Sequence, residues 1–177
     1  MDRFLEEIVV KKNKGLNEVA YYLSAVLMVV TAILGFMYLN VIFYGFNVMV
    51  LVMTVVNLGI AVLLFLFRDR LRTEYEYTFT NGDMDFAQVY NNKKRKNLGS
   101  LKMNRIEAFG KVSSGSFHRY INMPGINKTN WFLNRGAELY YFYFQKETNK
   151  RIIIIEPSEE MVQYIKTYLP RNAWQEN

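Results

Sequence analysis

Residues 19–39 read VAYYLSAVLMVVTAILGFMYL and residues 47–67 read NVMVLVMTVVNLGIAVLLFLF, and from Val19 to Phe67 there is no Asp, Glu, Lys, Arg or His. Roughly 49 uncharged residues would make about 73 Å of helix, too long for one crossing of a hydrocarbon core about 30 Å thick. Two crossings and a tight turn fit, with turn residues at Asn40 and at Tyr44, Gly45, Phe46 and Asn47. Backbone polar groups must pair internally in lipid, so each stretch is expected to be one continuous helix and the pair a transmembrane hairpin over 19–67. Tyr21, Tyr22, Tyr38 and Tyr44 fall where amphipathic rings settle at membrane interfaces.

Orientation follows from the cations. Lys11, Lys12 and Lys14 precede the hairpin and Arg68, Arg70 and Arg72 follow it, whereas the turn carries none. The positive-inside rule therefore predicts a multi-pass protein of the cytoplasmic (cell) membrane with both termini in the cytoplasm. A cleaved signal peptide is the competing reading, but its n-region would contain Asp2, Glu6, Glu7 and Glu18, no small-residue cleavage site follows, and a second span does. The absence of cysteine agrees with a reducing compartment.

The 177 residues thus divide into a short amphipathic N-terminal segment (1–18), the hairpin (19–67) and a C-terminal segment (68–177) of a size that can fold as one domain. The formal charge of +6 resides in the hairpin's flank and the domain, because residues 1–18 hold four cations and four anions. Anionic partners follow from that balance, and tethering to the inner leaflet favours lipid headgroups, each basic residue near such a surface contributing about 1 kcal/mol. No helix-turn-helix punctuation, zinc spacing or RNA-binding aromatic signature is present, so nucleic acid is not expected.

Phe4, Leu5, Ile8 and Val9 share one helical face, which predicts a short interfacial helix over 1–12: a membrane-surface foot, a partner-docking helix, or a helix packed on the domain. Beyond the hairpin the period changes to two. In Thr73–Thr80, TEYEYTFT, the residues Tyr75, Tyr77 and Phe79 take one face; Asn81-Gly82 supplies a hairpin turn, and Asp83–Tyr90 returns. Further strands are expected at 93–98, 101–105 and 106–112, with an irregular loop from Phe117 to Gly136. A central hairpin of 137–145 (LYYFYF) and 151–156 (IIII) turns at Glu147, Thr148 and Asn149. Pro157 and Ser158 open a helix with Glu159 and Glu160 in its first turn, Met161, Ile165, Tyr168 and Leu169 on one face, and Pro170 as its stop.

Serial short antiparallel strands closed by one amphipathic helix resemble the pleckstrin-homology superfold, an antiparallel β-barrel or sandwich of α+β class. A two-span hairpin running into TEYEYTFTNGDMDF, then KKRKNLGSLKMNRIE, then an isoleucine-rich strand before EPSEEMVQYIKTYL, is similar to bacterial membrane-anchored pleckstrin-homology-like proteins, within a family labelled as a domain of unknown function. The resemblance implies a fold and a binding module, with no catalytic signature. Its first hairpin loop, Asn81, Gly82 and Asp83, lacks the basic residues of phosphoinositide-binding members.

Lys93, Lys94, Arg95 and Lys96 form the densest charge cluster, and with Lys102 and Arg105 they are the candidate lipid- or partner-binding residues, together with the Phe117–Trp131 loop. The alternative for the cluster is a charged strand edge that blocks sheet-to-sheet pairing. His118 is the only histidine and has no Cys or His partner at ligand spacing, so neither a metal site, a cofactor nor a catalytic triad is expected; Asp83 and Asp85 read as solvated strand carboxylates. Asn127-Lys128-Thr129 matches a glycosylation sequon by chance on the expected cytosolic side.

Within the spans, Thr31 and Gly35 of the first and Asn57 and Gly59 of the second are the expected packing residues, with a cross-helix hydrogen bond from Asn57 and a homo-oligomer seam along Thr31–Gly35. Two helices without an ionisable group at depth make no proton path. The sequence therefore points to a non-catalytic, membrane-anchored recognition module for an anionic lipid surface or a protein partner. The alternative is an accessory subunit of a larger membrane complex assembled through the hairpin.

Overall fold

A computed structural model describes residues 3–146 and 148–176; Met1, Asp2, Glu147 and Asn177 lie outside the described residues, and with them Asp2 of the expected N-terminal helix and Glu147 of the expected turn. The chain forms two compact units, one of residues 13–73 with 90–93, the other of residues 3–12, 74–89 and 94–176.

The first unit is a helical hairpin, α1 (Gly15–Tyr44) and α2 (Val48–Phe67), followed by a 3₁₀ turn, Arg68–Arg72. Both helices are long and apolar enough to cross a membrane. Leu23, Val26 and Phe36 on α1 and Val55, Val62 and Phe65 on α2 stand exposed, an outward surface that suits lipid. Contrary to the sequence expectation, Asn40 is not a turn residue: α1 continues to Tyr44, and the Asn40 amide donates to the Phe36 carbonyl at 2.8 Å. The turn is only Gly45–Asn47, and the Asn47 side chain caps α2 by accepting from Met49 N at 2.8 Å.

The second unit contains two sheets. One has strand order β1-β2-β3-β4, from β1 (Phe4–Val9), β2 (Thr73–Thr80), β3 (Asp83–Tyr90) and β4 (Lys94–Lys102). The other has order β6-β8-β7-β5-β9, from β5 (Ala108–Lys111), β6 (Asn127–Trp131), β7 (Tyr140–Lys146), β8 (Asn149–Ile155) and the two-residue β9 (Trp174–Gln175). A short helix, α3 (Gly115–Ile121), and a longer one, α4 (Glu159–Tyr168), complete it. The arrangement is a sandwich without a closed barrel.

The expected N-terminal helix is a strand. β1 runs antiparallel to β2 in a register that places Val9 opposite Tyr75 and Phe4 opposite Thr80. FLEEIV carries both periods, and pairing selects the period of two: Leu5, Glu7 and Val9 turn inward while Phe4 and Ile8 stay 61% and 54% exposed. Six residues are too few for a stable isolated helix, whereas β2 offers them a full ladder.

β4 is one strand where two pieces were expected. Leu98 and Leu101, three apart, both pack on the core because Gly99, at φ +136°, shifts the alternation by one residue. At the β2–β3 turn, Asn81 and Gly82 take φ +48° and +94°, as that hairpin requires, and a Cβ on Gly82 would lie 2.7 Å from the Tyr168 ring.

The unpatterned run LYYFYF has a physical cause. Tyr140, Phe142 and Phe144 face the main core with Tyr77, Phe79, Phe86 and the α4 residues Met161, Val162 and Ile165, while Tyr141 and Tyr143 face a second core with Ala108, Phe117, Ile152 and Ile154. A strand buried on both sides has no polar face. The cover for the second face comes from the region expected to be loop: α3 contributes Phe117, Tyr120 and Ile121, and β6 pairs parallel with β8, Asn127 opposite Arg151 and Trp131 opposite Ile155. β9 is also parallel to β5, so the sheet is mixed where an all-antiparallel one was expected.

Candidate functional site

The six candidate cations do not form one cluster. Lys93 sits in the turn between β3 and β4, where Asn91 and Asn92 adopt φ +50° and +53°, and it belongs to the helical unit. Lys94, Arg95 and Lys96 open the edge strand β4 and are all exposed. Of these, Arg95 is ion-paired with Glu76 at 2.8 Å, the acid being 16% exposed and the guanidinium 60%. Such a pair contributes at most about 1 kcal/mol, and it spends Arg95's charge on the sheet itself. A charged edge of this kind also blocks pairing with a foreign strand.

Lys102 closes the far end of β4, about 26 Å from Lys94 at roughly 3.3 Å per residue. Arg105 follows in the 3₁₀ turn Met103–Arg105. Together with Lys146 at the end of β7, they line an open cavity of about 240 Å³ with Ser100, Gln145, Leu101, Ile106 and Phe144. None of these three cations has a carboxylate partner among the described residues. Three positive charges around a concave, partly apolar floor suit a singly or doubly charged anion. Lys146 escaped the sequence reading because it lies 41 positions beyond Arg105, at the end of a strand of the other sheet.

The helical unit holds its own basic group. Arg72 is committed: it pairs with Glu18, lies 3.7 Å over the Tyr21 ring, and donates to the Asn91 amide oxygen at 3.2 Å. Asn91 in turn donates to Asp69 at 2.8 Å and to the Tyr21 hydroxyl at 3.1 Å. Arg68 stacks 5.7 Å from Tyr21 and Arg70 4.5 Å from Phe67, both without a carboxylate partner among the described residues. An arginine over an aromatic ring keeps its charge while its planar face packs on the ring, so both groups stay cationic at the end of the apolar helix.

A second cavity, of about 420 Å³, lies where β1 meets the β8–α4 corner and is lined by Glu7, Lys12, Asn134, Glu138, Glu156 and Glu159, among others. Its chemistry is structural. Glu156, 8% exposed, accepts from Leu133 N at 3.3 Å, Asn134 N at 2.9 Å and Asn134 Nδ2 at 2.8 Å. Glu138 pairs with Lys111, which holds its carboxyl below the ordinary range. Burial, then the hydrogen bond to Glu138, pushes the Tyr140 hydroxyl up to about 12. The Tyr77 phenol, buried against the Trp131 carbonyl and Glu156, is also raised, chiefly by burial.

The remaining sequence candidates have ordinary surroundings. Phe117 and Trp131 pack into the two cores, Trp131 with its ring 4.7 Å from Phe86. His118 is exposed on α3, and Asp83 and Asp85 share the exposed face of β3. In the spans, Thr31 and Gly35 of α1 and Thr54 and Ala61 of α2 are buried, and a Cβ on Gly35 would lie 2.6 Å from the Leu58 side chain. Asn57 makes no cross-helix bond; its amide donates to Met53 of its own helix at 2.8 Å. Gly59 faces away from α1, with nothing within 4 Å of a Cβ placed there.

Comparisons with curated proteins and with solved structures gave no match. A family model described as bacterial PH-like domain (DUF6106) matches residues 1–175. Together with the sandwich, its closing helix and the two apolar helices, this match places the chain in that family of bacterial PH-like domains.

Proposed function

We propose that the protein is a non-catalytic recognition module anchored in the cytoplasmic membrane by residues 19–67, which reads an anionic lipid surface through residues 68–177 on the inner side. The observation that carries this reading is the cavity ringed by Lys102, Arg105 and Lys146, three cations without acidic partners among the described residues, in a chain that has two membrane-length apolar helices. Lys94 and Lys96 on the strand edge, and Arg68, Arg70 and Lys93 at the cationic end of the hairpin, add a longer-ranged attraction for the same chemistry. The orientation is supported by the flanking cations and by the β1–β2 register: Val9, before α1, lies opposite Tyr75, after α2, so both flanks of the hairpin share one side.

The test uses the full chain in a neutral detergent. Short-chain phosphatidylglycerol should raise its melting temperature and short-chain phosphatidylcholine should not. The increment should shrink in high salt and fall to near zero in Lys102→Ala/Arg105→Ala/Lys146→Ala. An equal response to both lipids, or an unchanged response in the triple variant, would overturn the assignment to this cavity.

A further inference from the structure

The polar side chains buried in a bilayer are expected to settle their hydrogen bonds within the protein, because acyl chains offer neither donors nor acceptors. In the two spans, the serine and threonine hydroxyls do so: Ser24 donates to Tyr21 O at 2.7 Å, Thr31 to Leu27 O at 2.9 Å, and Thr54 to Val50 O at 2.9 Å. Asn57 settles only half of its valence. One proton of Nδ2 is given to Met53 O, while the other proton and the Oδ1 acceptor have no partner among the described residues. Asn57 is the tenth of the twenty residues of α2, about 15 Å from either end and so at mid-depth of the hydrocarbon.

We propose that α2 carries a seam for a second copy of this chain, centred on Asn57, with each copy donating its free Nδ2 proton to the other's Oδ1. A primary amide is its own complement, so two copies related by a two-fold axis satisfy both open valences at once, which neither lipid nor α1 does here. The neighbours on that face are Met53, Ile60 and Leu64, a spacing of four, three and four residues that matches left-handed helix pairing. At 100° per residue this seam lies roughly a quarter turn round α2 from the Thr54, Leu58 and Ala61 face that meets α1, so the hairpin stays intact when it forms. Met53 and Ile60 are 37% and 38% exposed, open to a partner helix.

The proposal rests on the membrane placement of α2, and the experiment separates the two. The chain has no cysteine, so single introduced cysteines report unambiguously. Full-length Met53→Cys and Ile60→Cys, expressed in bacterial membranes and oxidised with copper-phenanthroline, should give disulfide-linked dimers, and Val55→Cys and Val62→Cys on the far face should not. Adding Asn57→Leu should lower the dimer yield about tenfold, the scale of two interhelical amide bonds, and Asn57→Gln should retain it. Equal cross-linking on both faces, or an unchanged yield with Asn57→Leu, overturns the seam. So does the absence of dimers from a chain that resists alkaline carbonate extraction. A chain released by carbonate overturns the membrane placement and the seam with it.

Discussion

The carboxylate of Glu156 and Asn134 are joined twice, Oε1 accepting from the side-chain amide at 2.8 Å and Oε2 from the backbone N–H at 2.9 Å. The same Asn134 amide also donates to Val10 O at 2.9 Å and accepts from Lys12 N at 2.7 Å, behaving toward the chain beyond β1 as a strand of one residue would. A buried acid at the end of β8 thus fixes the exit of an edge strand more than a hundred positions earlier. Asn134→Ala should destabilise the protein by about 1–3 kcal/mol, since it leaves Glu156 Oε1, Val10 O and Lys12 N without these partners. Glu156→Gln should cost less than Glu156→Ala, because an amide oxygen still accepts from Leu133 and Asn134. Denaturant unfolding of the full chain in detergent measures both; equal losses would show that the hydrogen bonds contribute nothing.

Gly35 and Gly59 should respond unequally to added bulk. Gly35→Val drives a side chain into Leu58 and should lower helix-hairpin stability by about 1–3 kcal/mol, whereas Gly59→Ala meets open space and should be near neutral. Thermal unfolding in detergent distinguishes them.

The Asn81-Gly82 turn should tolerate no side chain at its second position. Gly82→Ala forces a positive φ on a β-carbon and presses it against Tyr168, so a loss of about 1–3 kcal/mol is expected, against a small effect for Asn81→Asp. The melting temperatures of the two variants give the comparison.

Alkaline stability should report the buried phenols. In the folded chain Tyr140 loses its proton near pH 12, against about 10 when unfolded, so at pH 10–12 the native state holds the proton that the unfolded state has released. The contribution is complete below pH 10 and vanishes as the pH rises through 12, a slope that Tyr140→Phe should flatten. On the acid side Lys111 lowers the Glu138 pKa, so that pair's contribution is present above the ordinary carboxylate range and fades as the pH falls, an effect Lys111→Met should remove. Stability curves from pH 3 to 12 test both signs.

How far the fold could be read depends on where local pattern and tertiary context agreed. TEYEYTFT, the Asn81-Gly82 turn and the Pro157–Ser158 helix start were legible because each carries its own period or cap; Ser158 does accept from Met161 N at 3.2 Å. FLEEIV was misread because six residues fit two periods and the deciding partner, β2, lies beyond the hairpin. NKTNW has no apolar alternation at all, and is a strand only because β8 presents it a ladder. Of the three cations that line the cavity, Lys102 and Arg105 are among the sequence candidates and Lys146 is not, because packing brings it to them from a distant part of the chain.

The register of β1 on β2 has a consequence for biogenesis. Val9 cannot meet Tyr75 until the ribosome has released both apolar helices and the strand after them, so this sheet closes only after the whole hairpin has been made. A nascent chain that ends before residue 73 leaves the N-terminal strand without its template and its edge unpaired.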